Sequence, residues 1–304
     1  MRRPISAGSI SPTGGIACIL LGGAFLTTND AALKWLTDGY PVGEIMTLRG
    51  IFAFLPIAFI AWRAGGLRSL RVRHLYAQSA RALFFVASSF IWVFGLIHLP
   101  LADAMAATFT GPIMITALAP LLLGEIIGWR RWTAVVIGFC GVLLMIKPTG
   151  EGLRLAILLP IVSVMGGVAR DIITRRIAAS ESSVATLAFA TAAAILFGLV
   201  TLPFGWVMPN AWDWLLLAVS GILMGTAHFL YIEALRLAEA AVVMPFKYFN
   251  MVWAVGLGFV IWGDLPGTWV WTGAAIIVAS GLYLLHREAK TQRQPATDNQ
   301  AATS

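Results

Sequence analysis

Apolar runs of about 20 residues follow one another along the chain, separated by short segments rich in Gly, Pro, Asp and Arg. A run of this length crosses the hydrocarbon core of a bilayer as a helix. Only helices and closed barrels satisfy backbone polar groups in lipid, and barrel strands are half as long and alternate in polarity. The pattern predicts an all-α integral membrane protein with ten spans, at residues 15–36, 42–62, 75–98, 101–123, 132–148, 153–177, 183–203, 213–236, 241–263 and 268–286.

The stretch from Phe90 to Leu143 recurs as Phe229 to Leu282 after a shift of 139 positions. The most specific match is a Gly-acid turn, in which Gly124-Glu125 corresponds to Gly263-Asp264. Each copy holds five spans, and an odd number places the second copy upside down in the membrane. We therefore predict two inverted repeats, residues 1–149 and 150–290, followed by a disordered cytoplasmic tail at 291–304.

Composition and charge support this topology. The chain is 59% hydrophobic and 12% charged, whereas soluble domains carry about 25% charged residues. Its net charge of +7 comes from loops: 14 Lys and Arg residues lie on the side of the two termini, against Lys147 and Arg154 on the other. This bias predicts both termini in the cytoplasm and the lipid bilayer, not nucleic acid, as partner. Cys18 and Cys140 lie inside apolar runs, so neither a disulfide nor a metal site is predicted.

Ten spans in two repeats, with Leu121-Leu-Leu-Gly-Glu125 before Gly128-Trp-Arg-Arg-Trp132, resemble the drug/metabolite transporter superfamily, of the EamA type. The segments Leu99–Pro112 and Gly138–Pro148 are similar to that family's fourth and fifth helices. The resemblance implies a multi-pass protein of the bacterial inner membrane. It also implies transport of small metabolites such as amino acids, nucleoside-like compounds or vitamins, often outward.

Charge is costly inside a span, and Arg49, Arg81 and Lys247 are three cations in predicted spans that have no charged counterpart in the other repeat. Arg49 lies about 10 Å from the outer end of its span. It is either an anchor for a substrate carboxylate or phosphate, or a structural partner of Glu44 or Asp30. Arg81 is a candidate for substrate contact or gating, the alternative being a side chain that snorkels to the inner interface. Lys247 is a candidate for the cavity wall.

Polar and aromatic side chains near these cations complete the candidate substrate site. Tyr248 and Asn250 follow Lys247 and either line the cavity or pack between helices. His228 and Tyr231 share a helix face at i, i+3 spacing. They either bind substrate or a coupling proton, or are buried side chains whose hydrogen bonds are made within the protein. Trp92 can stack on a flat substrate or simply fill the core.

Two acid–base pairs at i, i+4 spacing, Asp30 with Lys34 and Asp171 with Arg175, correspond under a shift of 141 positions. They are candidate symmetry-related gate or coupling pairs, the alternative being charge neutralisation at helix ends. Asp30 is the deeper acid and the candidate for proton coupling. Glu125 and Asp264 are expected to fix turns rather than to contact substrate.

The leading hypothesis is a secondary transporter of an amino acid or amino-acid-like compound that works by alternating access. Its family resemblance implies export. Uptake or exchange of a nucleoside-like or vitamin metabolite is the alternative within that class. We expect no cofactor, a proton as the candidate coupling ion, and a monomer or homodimer. An intramembrane enzyme is a remote alternative, because the four histidines are scattered and no HExxH motif occurs.

Overall fold

The computed structural model describes residues 12–111, 113–114, 117, 129–146, 155–177, 180–237 and 243–292. All regular secondary structure within these ranges is helical. Short 3-10 segments lie at Gly66–Leu70, Leu155–Ile157, Leu202–Phe204 and Met244–Phe249. The α-helices are α1 Pro12–Leu36, α2 Val42–Arg63, α3 Leu75–His98, α4 Leu101–Thr108, α5 Trp129–Ile146, α6 Leu158–Ile177, α7 Ser183–Leu199, α8 Ala211–Leu237, α9 Asn250–Trp262 and α10 Thr268–Gln292.

The helices follow the apolar runs, which confirms the predicted fold class of ten helices in two inverted five-helix repeats. Five of them are long and apolar enough to cross a membrane by length and composition, and shorter apolar helices lie within α5, α7, α9 and α10. The predicted ninth span is divided, because a 3-10 segment with Pro245 in its first turn precedes α9. Proline lacks the amide proton that would continue a helix upstream.

Turns were predicted at the ends of the fourth and ninth spans, and the structure describes only the second of these positions. Glu125 lies outside them, so its expected role in a turn stays a prediction. Gly263 ends α9 at φ +72°, and its amide donates to the carbonyl of Phe259 at 2.9 Å. Glycine adopts this left-handed conformation without a steric penalty. Helix α10 continues to Gln292, and residues 293–304 lie outside the described part, so the predicted disordered tail stays a prediction.

The inverted repeat is visible in helix packing. The first helix of each repeat packs along the third helix of the other, so that α1 lies on α8 and α6 on α3. The second helices, α2 and α7, pack on each other, and so do the fifth, α5 and α10. We call the end where α1 begins and α10 ends the terminal end, and the other the opposite end. The terminal end is predicted to face the cytoplasm.

Glycines set the closest helix approaches. A Cβ atom at Gly221 on α8 would overlap the backbone of Arg49 and Ala53 on α2. One at Gly225 would overlap the ring of Pro56 on the same helix. Small residues let backbones meet in lipid, where no hydrophobic force drives helices together. Gly221 and Gly225, one helical turn apart on α8, therefore allow the close contact with α2.

Candidate functional site

Arg49 lies at the centre of a buried polar cluster that joins the two repeats. It is 5% exposed. Its Nη1 donates to Asn29 Oδ1 on α1 at 3.2 Å, and its Nη2 contacts Met46 Sδ at 2.9 Å. Ser220 on α8 donates to the same Asn29 oxygen at 2.7 Å. We call Asn29, Asp30, Arg49 and Ser220 the α1–α2–α8 corner. The guanidinium is thus held by protein groups from three helices.

Neither of the two acids considered as alternative partners of Arg49, Glu44 and Asp30, is bonded to it directly. Glu44 accepts a hydrogen bond from the backbone amide of Val207 at 3.0 Å, in the loop before α8. Asn29 stands between Arg49 and Asp30, and its Nδ2 donates to Asp30 Oδ1 at 3.0 Å. Sequence reasoning missed Asn29 and Ser220, because a neutral amide or hydroxyl inside a span attracts less notice than a charge. The position of Asn29 directly before Asp30 was the available signal.

Asp30 is bound from two sides inside this corner. It is 5% exposed, and its Oδ1 also accepts from the indole Nε1 of Trp92 on α3 at 3.1 Å. A buried carboxylate needs such donors, because its charge is costly in a low-dielectric interior. The structure therefore gives Trp92 a hydrogen-bonding role, and its predicted stacking on a substrate stays a prediction.

Lys34 does not form the predicted ion pair with Asp30. Its Nζ donates to the carbonyl oxygens of Leu96 at 2.9 Å and Leu99 at 2.7 Å, and lies 5.6 Å from the ring centroid of Trp262. The last carbonyls of a helix lack intrahelical donors, so the end of α3 offers Lys34 two acceptors. Lys34 therefore ties α1 to the end of α3 and faces α9.

A second group of predicted residues meets where α8 faces the 3-10 segment and α9. Asn250 Nδ2 donates to the hydroxyl of Tyr231 at 3.3 Å. Lys247 Nζ lies 5.4 Å from the centroid of the Tyr231 ring, a cation–π geometry, and its side chain is exposed. Asn250 is buried against Gly23 of α1, where a side chain would overlap its amide. We call Tyr231, Lys247, Tyr248 and Asn250 the α8–α9 corner.

Tyr248 and His228 border this corner. The ring of Tyr248 packs edge-on against Phe109 of α4, with centroids 5.0 Å apart. Its hydroxyl is buried without a hydrogen-bond partner within the described residues. His228 Nδ1 lies 2.8 Å from the carbonyl of Met224, which can only accept. The Nδ1 atom therefore carries a proton and donates it to this carbonyl.

Arg81 lies where α3, α6 and α7 meet. Its Nε donates to Thr174 Oγ1 at 2.7 Å, and its Nη1 donates to the carbonyl of Thr186 at 3.4 Å. Both acceptors lie on neighbouring helices, and the snorkelling alternative for this side chain stays untested. Asp171 pairs with its neighbour Arg170 at 2.8 Å. The side chain of Arg175 lies outside the described part, so its predicted pairing with Asp171 is untested.

Hydrogen bonds also close the loops at both ends. At the terminal end, Glu181 accepts from the backbone amides of His74 at 2.6 Å and Arg73 at 2.8 Å. Burial acts to raise the pKa of Glu181, but these amides outweigh it and hold the pKa below its ordinary value.

At the opposite end, Tyr40 donates to Asp213 at 2.7 Å, which raises the pKa of Tyr40. A cavity of about 330 Å³ lies there, lined by Trp35, Leu36, Asp38, Gly39, Tyr40, Val207 and Asp213.

Two segments of the chain, residues 13–147 and 152–285, each match the EamA-like transporter family. The chain belongs to the EamA-like transporter family. Its two matches coincide with two copies of one helical unit, which confirms the family resemblance seen in the sequence. It is a multi-pass membrane protein of a small-metabolite transporter family.

Named relatives of this EamA-like chain span nearly its whole length. A riboflavin transporter from Rhizobium johnstonii is 29% identical over 93% of this chain and 94% of the relative. An S-adenosylmethionine uptake transporter from Rickettsia conorii is 26% identical, over 92% and 95%. A riboflavin transporter from Vibrio cholerae is also 26% identical over 92% and 95%. A solved crystal structure shares the fold, with a TM-score of 0.60 at 19% identity, over 89% of this chain and 98% of that one.

Proposed function

We propose that this chain is a secondary transporter that takes up or exchanges a small heterocyclic metabolite, nucleoside-like or vitamin-like, across the bacterial inner membrane. Support comes first from the relatives, which are named for riboflavin and for S-adenosylmethionine uptake. Both named compounds carry a flat heteroaromatic ring system. These names favour the vitamin and nucleoside alternative over amino-acid export, which stays an untested prediction.

The observation that carries this proposal is the α8–α9 corner. The Tyr231 ring, the edge-packed Tyr248 and Phe109 rings, the Asn250 amide and the exposed Lys247 ammonium lie on helices from both repeats. Sites for flat ligands combine aromatic faces with a few polar groups that fix orientation. In this arrangement the heterocycle packs on an aromatic face, while Asn250 and Lys247 bind its polar edge.

Arg49 has a structural role in this mechanism rather than the substrate-anchoring role that its charge suggested. Its guanidinium is occupied by Asn29 and Met46 and is almost fully buried. This placement supports a structural role that holds α1, α2 and α8 together while the halves rock. Asp30 remains the candidate for proton coupling, since it is an acid on the first helix whose donors, Asn29 and Trp92, lie on two helices.

Uptake into proteoliposomes tests the proposal directly. The panel comprises labelled riboflavin, S-adenosylmethionine, a nucleoside and a neutral amino acid, each with and without a pH gradient. We expect a heterocyclic compound to be transported in preference to the amino acid. Tyr231→Leu should reduce that uptake strongly, because the aromatic face is lost. Uptake of the amino acid alone, or of none of the four, would contradict the proposal.

The chain offers a matched control for this experiment. Tyr283 lies on the surface of α10 and is 44% exposed. Tyr283→Leu removes the same side chain outside the α8–α9 corner and should leave uptake unchanged. Asp30→Asn tests coupling separately: a coupled transporter should lose the effect of the pH gradient yet retain exchange between labelled and unlabelled substrate.

A further inference from the structure

Arg170, to which the sequence suggested no role, faces α3 from the middle of α6. Its guanidinium lies 6.0 Å from the centroid of the Phe85 ring and pairs with Asp171 at 2.8 Å. One helical turn further on, Thr174 donates to the Arg170 carbonyl and accepts from Arg81 Nε. Because α3 and α6 run antiparallel, Phe85 opposite Arg170 and Arg81 opposite Thr174 form consecutive rungs. The backbone positions of the two arginines therefore lie about one helical turn, roughly 6 Å, apart along the helices.

Lys247 lies in the α8–α9 corner. Its Nζ lies 5.4 Å from the centroid of the Tyr231 ring, and its side chain is exposed. Arg81 and Arg170 are the cations whose contacts lie between α3 and α6.

The charges of Arg81 and Arg170 do not balance. Arg81 contacts neutral groups, namely the Thr174 hydroxyl and the Thr186 carbonyl. Asp171, which accepts from Arg170 Nε at 2.9 Å and pairs with its Nη2 at 2.8 Å, is the one carboxylate that contacts either guanidinium within the described residues. One positive charge is thus in excess at a depth of about 10 Å from the terminal end of α6, seven residues from Ile177. Uncompensated charge is expensive inside a membrane unless it serves a ligand or an ion.

We propose that Arg81 and Arg170 form an anion subsite that binds a carboxylate or phosphate group of the transported compound. The inference rests on the proposed function and narrows its substrate class to heterocyclic metabolites with an acidic group. Asp171 binds Nε and Nη2 of Arg170 and holds the guanidinium in place. The Nη1–Nη2 edge of Arg170 presents two parallel donors, which suit two oxygens of one carboxylate or phosphate. The heterocycle then extends toward Tyr231 in the α8–α9 corner.

Binding to the purified full-length protein tests the subsite with matched ligands. The pairs are riboflavin with riboflavin 5′-phosphate, a nucleoside with its 5′-monophosphate, and the methyl ester of S-adenosylmethionine with S-adenosylmethionine itself. Inorganic phosphate alone is a fourth probe. For at least one pair we expect the acidic member to bind roughly tenfold or more tightly than its neutral partner, the value for a charge-assisted hydrogen bond. Arg170→Gln should bring that ratio close to one while leaving the affinity of the neutral member unchanged.

Two variants separate binding from structure. Arg170→Lys keeps the charge but not the fork and should restore part of the ratio. Arg63→Gln removes an arginine at the end of α2, beside Phe59, and should leave the ratio at its wild-type value. Equal affinity within every pair, no binding of any acidic member, or an unchanged ratio in Arg170→Gln would each overturn the subsite. Binding of inorganic phosphate without any preference for an acidic heterocycle would overturn it as well. Uptake of a neutral heterocycle would still support the proposed function in all these cases.

Discussion

Two corners of the bundle occupy equivalent positions in the inverted repeats but carry different chemistry. A shift of 141 positions places Arg170 where Asn29 stands and Asp171 where Asp30 stands, and a shift of 139 places Ser220 where Arg81 stands. In the α1–α2–α8 corner, one arginine is buried among neutral and acidic partners. In the equivalent corner, Arg81 on α3 and Arg170 on α6 lie one helical turn apart, and Arg170 is partly exposed.

Packing follows the same division. Helix α2 lies closely along α8, where Gly221 leaves room for the backbone of Arg49. The equivalent pair, α7 with α3, makes a smaller contact. The difference teaches that the same arrangement of helices serves two roles. The α1–α2–α8 corner joins the two repeats, and we propose that the equivalent corner, which holds Arg81 and Arg170, binds a ligand.

The largest effect on stability is expected from replacing Asn29 in the α1–α2–α8 corner. Asn29→Leu removes the oxygen that accepts from Arg49 and Ser220 and leaves a buried guanidinium without its acceptor. Loss of such a partner costs about 3 kcal/mol of stability. Thermal unfolding in detergent should therefore shift to clearly lower temperature. The double variant Asn29→Leu/Arg49→Met also removes the buried charge and should recover most of the lost stability. An equal loss of stability in both variants would contradict the structural role of the α1–α2–α8 corner.

A smaller effect is expected from closing the gap at Gly221. Gly221→Ala places a methyl group against the backbone of Arg49 and Ala53, which must move. Overpacking of this kind costs about 1–3 kcal/mol. Gly167 on α6 is the matched control, because a Cβ there meets nothing within 4 Å. Gly221→Ala should lower the unfolding temperature, and Gly167→Ala should not. The reverse order would contradict the packing of α2 on α8.

The smallest effect concerns the loop contact at the terminal end. The carboxylate of Glu181 is favoured in the fold, because its pKa lies below the ordinary value of 4.5. Its contribution to stability is therefore present above pH 4.5 and is lost as the pH falls through the lowered pKa. Glu181→Gln should unfold at a slightly lower temperature than the wild type at pH 7. That difference should vanish in acid, and a difference that grew in acid would contradict the assignment.

Most of the fold could be predicted from the sequence, because apolar length and the repeated Gly-acid turn are local signals. The site was predicted less completely. Arg81, Lys247, Tyr231 and Asn250 were identified by their polarity inside spans, and the structure places the last three in contact. The partner of Arg49 and the place of Lys34 could not be predicted, because both depend on which helices face each other. Asn29 and the carbonyls at the end of α3 become acceptors only after α1 packs between α3 and α8.

The most direct test of the contrast between the two corners is the concentration dependence of uptake in proteoliposomes. The substrate is the acidic heterocycle preferred by the wild type, and the variants are Arg170→Gln and Ser220→Ala. Our account predicts that Arg170→Gln raises the apparent KM roughly tenfold, as expected for loss of a charge-assisted bond, whereas Ser220→Ala leaves it unchanged. An unchanged KM in Arg170→Gln, together with a raised KM in Ser220→Ala, would place substrate binding at the α1–α2–α8 corner and contradict the account.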